Sequence, residues 1–168
     1  MSRPSPPVLD IVGTLVRLGL AAVWLVSGVA KISDSGQTYL AVKAYEVLPD
    51  ALLHPVATGL PLLELALGAF LLLGLLTRWV GVVSALLLLV FIAGVAQSWA
   101  RGLTIDCGCF GGGGQVEAGH TRYPEEIARD VGFLVLACWL IVRPATRVAL
   151  DRWLRGGEPR AETEKERI

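Results

Sequence analysis

Residues 55–76 read PVATGLPLLELALGAFLLLGLL, and after Thr77-Arg78 residues 79–100 read WVGVVSALLLLVFIAGVAQSWA. A helix needs about 20 mostly apolar residues to cross a ~30 Å hydrocarbon core. Pro55–Leu76 has the length and one charge, Glu64. Trp79–Ala100 has the length and no charge; Gln97, Ser84 and Ser98 are its strongly polar side chains. Two such runs separated by two residues predict a hairpin of membrane-spanning helices.

Outward from this hairpin, two further runs fit. Val8–Ala30 is interrupted by Asp10 and Arg17 but is clean from Leu18 to Ala30. Val131–Val142 is short and reaches spanning length only if Glu126–Asp130 form its first turns. Pro124 suits a first helical position, and Glu125 and Glu126 suit the positive end of the helix dipole. The fold expected is all-α, an integral membrane four-helix bundle with spans at about 8–31, 55–76, 79–100 and 126–143. These lie in one domain over residues 1–150, followed by a polar tail, 151–168, expected to be disordered and cytoplasmic. Gly28-Val29-Ala30 also resembles the end of a cleavable signal peptide. A chain cut there would keep three spans and place its basic tail on the wrong side.

Composition agrees. Hydrophobic residues make up 54% and Gly adds another 19 positions, well above the roughly 45–50% of a soluble domain, Gly included. Charged residues are 18% against a common ~25%. The net charge is zero, which removes the electrostatic case for nucleic acid. Four spans put both termini on one side with Arg78. That side collects ten Lys and Arg residues, against five (Lys31, Lys43, Arg101, Arg122, Arg129) on the other. By the positive-inside rule the termini are cytoplasmic and both longer loops are extracytoplasmic, in a bacterial inner membrane.

In the first outer loop Leu40, Ala41, Ala44, Tyr45 and Leu48 recur at helical spacing. This predicts a short amphipathic helix over Gln37–Leu48, stopped by Pro49-Asp50. It lies either over the mouth of the bundle or at the lipid interface. The second outer loop carries Asp106-Cys107-Gly108-Cys109-Phe110-Gly111, then three more Gly. Two thiols separated by one Gly close a tight and strained ring, and strained exposed disulfides are the oxidising, catalytic ones. The polyglycine stretch is expected to let a partner approach. Three readings stay open: a redox-active dithiol, a structural disulfide, and a metal site using Cys107, Cys109, His120 and Asp106. Short rings remove little loop entropy, and no second closely spaced ligand pair is present, which weakens the last two.

Further residues fall in a familiar order. Arg17 and Gly28-Val29-Ala30-Lys31 bound the first span, Tyr45 precedes Leu48-Pro49, and Pro61-Leu62-Leu63-Glu64 with Gly68 marks the second. Arg101-Gly102 precedes Cys107-Gly108-Cys109-Phe110-Gly111, and Arg129-Asp130 open the fourth. With these the chain resembles the MauE branch of the DoxX-like membrane proteins over nearly all four spans. The resemblance implies a four-helix membrane bundle working with an extracytoplasmic thioredoxin-like protein. The family's namesake is associated with maturing the disulfide-rich small subunit of methylamine dehydrogenase. By analogy of role with quinone-linked disulfide-forming membrane proteins, electrons would pass towards quinone.

Charge inside a bilayer is costly and is a functional candidate by default. Glu64 lies about 14 Å below the outer end of its helix, and Arg129 and Asp130 about 8–9 Å below Pro124. Arg129 is placed to pair with Glu64 or Asp130, either as a structural ion pair or in proton handling. Lys31, at the outer end of the first helix, joins this group. Arg17 is expected to snorkel to the inner face. Cys138, far down the last helix, is expected to be a small buried hydrophobe. The reading is a membrane thiol–disulfide oxidoreductase component. Cys107 and Cys109 are its reactive pair, and Lys31, Glu64, Arg129 and Asp130 handle protons or bind a quinone or partner. No resident metal is expected, the lipid bilayer and a thioredoxin-fold protein are the expected partners, and self-association is left open. The rivals are a non-catalytic assembly partner with a structural disulfide, and a metal-binding or metal-transport protein.

Overall fold

The computed structural model describes residues 7–108, 112–117 and 121–143. Cys109, His120 and the tail from Asp151 lie outside the described residues. Among the described residues there are five helices and one two-stranded hairpin: α1 (Pro7–Ser33), α2 (Ser35–Ala44), α3 (Asp50–Leu73), α4 (Thr77–Ala100), β1 (Ile105–Asp106), β2 (Gly114–Gln115) and α5 (Tyr123–Val142). The long helices α1, α3, α4 and α5 form the bundle.

Helices α1, α3 and α4 are long and apolar enough to cross a membrane. Their outward faces are apolar as well: Val26, Leu62 and Leu86 are each more than half exposed. Such a surface fits lipid better than water. Helix α5 keeps four charged residues in its first two turns, Glu125, Glu126, Arg129 and Asp130, before its apolar run.

The boundaries differ from the sequence reading for local reasons. Helix α3 begins at Asp50, after an extended Pro49, and takes Pro55 and Pro61 inside it. It ends at Leu73 because Gly74 adopts φ 69°, ψ 36°, a left-handed cap. The Gly74 and Leu75 amides then bond to Leu71 and Phe70 carbonyls, a Schellman-type closure that sets the hairpin into α4. Helix α2 starts earlier than expected, since the Asp34 carboxylate accepts the Gln37 amide at 2.9 Å. It also ends earlier, four residues short of Leu48. Glu46 turns to φ 51°, and Arg101 holds that turn through the Glu46 carboxylate at 2.9 Å and the Tyr45 carbonyl at 3.3 Å. Pro49 is therefore not what stops α2.

Helix α3 packs chiefly on α1 and α4 chiefly on α5. The core between them is Leu20, Ala21 and Trp24 of α1, Leu67 and Leu71 of α3, Val80, Ala85 and Leu88 of α4, and Ala137 and Leu140 of α5. Trp24 satisfies its indole by donating to Ser84 Oγ at 3.0 Å. The close approach of α1 and α3 depends on glycine. A Cβ at Gly68 would stand 2.6 Å from Leu25 Cγ, and one at Gly28 would stand 2.8 Å from Leu65 Cγ.

Two expectations fail on which helix face a residue occupies. Arg17 does not snorkel: it is 2% exposed, and its Nε and Nη1 have no hydrogen-bond partner. It shares the buried face of α1 with Gly13, Leu20, Ala21 and Trp24. Cys138 is not buried: it is exposed on the outer side of α5, next to buried Ala137.

Candidate thiol site at the loop end of the bundle

The loop bearing Cys107 is a hairpin laid on α2. Ile105 pairs with Gln115 and Asp106 with Gly114, antiparallel, so that Cys107 leaves the ladder at its closed end. Gly108 and Gly113 have φ of 65° and 95°, and a Cβ at Gly113 would be 2.6 Å from Gly108 Cα and 2.8 Å from Ala41 Cβ. Glycine here permits close approach. Far from being loose, the Gly113 carbonyl accepts from the Gln37 side chain of α2. Tyr123, buried at the start of α5, supports the hairpin from beneath. Its hydroxyl accepts the Ile105 amide at 3.0 Å and donates to the Leu103 carbonyl.

Cys107 is half-buried, and three elements converge on it. Arg129 Nη2 of α5 lies 3.5 Å from its Sγ. Its amide donates to Glu126 Oε1 at a long 3.5 Å, and its carbonyl accepts from the Tyr45 hydroxyl at 3.1 Å. Arg129 is itself steered by Asp130, whose Oδ1 accepts from Nε at 3.2 Å. A guanidinium beside a sulfur compensates negative charge on it, the state from which a thiol attacks or departs. Donor atoms of Asp106, Cys107 and Glu126 lie within 4.8 Å of one another, a spacing a metal ion would also accept. The cation already beside the same sulfur opposes a second one.

Lys31 and Glu64 form a separate buried cluster. Lys31 Nζ donates to Glu64 Oε1 at 2.8 Å and Oε2 at 2.9 Å, and to Ser27 Oγ at 2.6 Å. Ser27 in turn donates to Glu64 Oε2 at 3.0 Å. Glu64 is fully buried and the Lys31 side chain is 7% exposed. The partner of Glu64 is thus Lys31, one of whose helical turns away lies Ser27, and not Arg129.

A cavity of about 440 Å³ joins the two clusters. Lys31 and Cys107 both line it, with α2 above and α3 and α4 at the sides. The structure therefore brings Arg129 and Asp130 to Cys107 and places Lys31 elsewhere on the same cavity, with Glu64 buried behind it. Glu126 and Tyr45 were not anticipated as neighbours of the thiol. The signal for Glu126 was present: it precedes Arg129 by three residues and Asp130 by four, one helix face. Tyr45 had no such signal, because its hydroxyl reaches the loop across 62 residues of sequence.

The order of these features along the chain is matched by one family profile, described as Methylamine utilisation protein MauE, over residues 9–143. The chain belongs to the MauE family. The methylamine utilization protein MauE of Paracoccus denitrificans is 37% identical over 99 residues, covering 58% of this chain and 53% of that protein. The protein of the same name from Methylorubrum extorquens is 31% identical over 104 residues, covering 61% of this chain and 56% of the relative. The chain spans about half the length of the curated relatives it matches. No solved structure matches it.

Proposed function

We propose that this MauE-family protein is a membrane component of thiol–disulfide exchange, working through Cys107 and Cys109 with a thioredoxin-fold protein on the extracytoplasmic side. The observation that carries the reading is the setting of Cys107. Its sulfur sits at the loop end of a membrane bundle, 3.5 Å from a guanidinium that Asp130 orients. In the oxidising direction a partner thiolate attacks one sulfur of a Cys107–Cys109 disulfide and forms a mixed disulfide. The partner's second thiol then resolves it. The partner leaves with a disulfide, and the loop is left as a dithiol. Glu126 and Asp130, buried beside the loop, handle the protons that accompany this exchange.

The distribution of Lys and Arg favours cytoplasmic termini and an extracytoplasmic hairpin, where disulfides persist. The names of the relatives favour a role in methylamine utilisation.

Acid-quenched thiol alkylation in intact cells tests the reading, on wild type and on Cys107→Ala and Cys109→Ala. The expected result is an oxidised wild-type pair, with one variant trapping a thioredoxin-fold protein as a mixed disulfide. Thiols that stay reduced in wild type and trap nothing in either variant would sink it. Stoichiometric metal in the purified reduced protein would favour ligation by Asp106, Cys107 and Glu126 in its place.

A further inference from the structure

We infer that the cavity beside Cys107 is the binding site of a lipid-soluble quinone, which accepts the two electrons of the Cys107/Cys109 dithiol. The inference rests on the exchange reading above and names its electron acceptor.

The first argument is where the cavity opens. Val47 and Val90 line it and are 55% and 65% exposed, so they mark its mouth. Val90 lies ten residues from the end of α4 at Ala100, about 15 Å along the helix axis. The mouth therefore reaches well down the flank of a membrane helix. It exists because α3 and α4, though joined by a tight turn at their other end, pack on α1 and α5 and leave a gap between themselves. A ligand arrives there from the bilayer.

The second argument is the wall. Val56, Leu60 and Phe91 give an apolar slot, and the volume of about 440 Å³ lies within the ~300–1,000 Å³ of small-molecule sites. Beside the polar Thr38, Tyr45 and Gln97, this wall carries a thiol, Cys107, and an ammonium, Lys31. The Lys31 ammonium, 5.7 Å from the Phe91 ring centroid and anchored by Glu64, supplies positive charge where a quinone oxygen gathers electrons. An acyl chain would find no use for either group.

The third argument is electron count. The chain has three Cys, and the one outside the loop, Cys138, is exposed on α5. The dithiol gives up two electrons, and the described residues lining the cavity include no thiol besides Cys107 to receive them. An acceptor that enters from the bilayer must be lipid-soluble and take two electrons at once, and quinones have these properties. The step balances: two S–H bonds break, one S–S bond forms, and two electrons and two protons pass to the two carbonyl oxygens to give the quinol.

The test uses the full chain in phosphatidylcholine nanodiscs free of quinone, with decyl-ubiquinone as probe. Binding is read in the Cys107→Ser/Cys109→Ser variant by quenching of tryptophan fluorescence. Trp24 stands 6.4 Å from Phe91, close enough to report. Saturable quenching is expected. Ala93→Phe, which fills the cavity, should raise the half-saturation about tenfold or more, while Ala96→Phe, exposed on the same helix but outside the cavity, should leave it unchanged. Reduced wild type mixed anaerobically with the probe should form one quinol for each pair of thiols lost. Quenching that never saturates, equal behaviour of the two Phe variants, or saturation without quinol formation would each overturn the inference. If partner trapping in cells succeeds and quinone binding fails, only the acceptor is wrong. If the probe saturates and trapping fails, the exchange reading is what falls.

Discussion

The Lys31–Glu64 pair allows a quantitative test of how this bundle is held together. Glu64 is fully buried, Lys31 nearly so, and Nζ lies 2.8 Å from Oε1. At an effective dielectric constant of about 20, two unit charges 2.8 Å apart attract by about 6 kcal/mol. Desolvation of both groups offsets most of this, so the pair as a whole contributes little net stability. Removing one partner is a different matter, because the other charge then stays buried and uncompensated at a cost of about 3–5 kcal/mol. Glu64→Leu should therefore destabilise strongly, with Lys31 and Ser27 left facing an apolar wall. Lys31→Met/Glu64→Leu should recover most of the loss, and a buried pair exchanged for packed apolar groups can gain about 1–4 kcal/mol. The assay is reversible unfolding by sodium dodecyl sulfate in mixed micelles, followed by helical circular dichroism for wild type, both single variants and the double. A double variant as unstable as Glu64→Leu would refute the argument. It would mean that the cost lies in lost packing and hydrogen bonds rather than in an uncompensated charge.

Other outcomes follow from single contacts. Arg129→Gln should slow the reaction of Cys107 with an aromatic disulfide reagent about fivefold, the worth of roughly 1 kcal/mol for a partly exposed charge; Arg129→Lys should restore part of the rate, as stopped-flow thiol kinetics will show. Gly113→Ala places a Cβ 2.6 Å from Gly108 Cα at φ 95°, so the hairpin should open at a cost of about 1–3 kcal/mol, read as faster maleimide labelling of Cys107. Gly68→Leu should separate α1 from α3 and lower the detergent midpoint by more than Gly59→Leu, because nothing lies within 4 Å of a Cβ at Gly59. Tyr123→Phe removes the hydroxyl that accepts from Ile105 and donates to Leu103, and should cost about 1–3 kcal/mol with a matching rise in amide exchange at Ile105.

Much of the architecture is written in the order of the residues. Runs of 22 apolar residues separated by two polar ones leave a membrane helical hairpin as the economical solution, since a chain in lipid must satisfy its amides within each segment. The break itself falls at Gly74, two residues before the apolar run ends at Leu76 and ahead of the Thr77-Arg78 turn that the run lengths suggest. The Cys-Gly-Cys stretch announces where to look for chemistry, because two thiols so close have few other uses. Arg129 and Asp130 are legible for a related reason, being charges that the last span must include to reach spanning length.

What the sequence does not contain is which face each of these residues turns to which neighbour. Depth along a helix can be counted, and on depth alone Arg17 snorkels, Cys138 is buried and Arg129 has either Glu64 or Asp130 for a partner. Rotation about the helix axis and the choice of packing partner reverse the first two and decide the third. Arg17 turns inward with Leu20 and Trp24, Cys138 turns outward, and Lys31 takes Glu64 because α1 lies against α3. Arg129 is left for Asp130 and for the sulfur of Cys107, 22 residues earlier in the chain. The end of α2 and the cavity have the same origin, an arginine reaching back from α4 and two helices that each pack on someone else. Local sequence set the segments and their lengths through the hydrophobic thickness of the bilayer; the tertiary structure set the site, because contacts between distant segments depend on how whole faces fit.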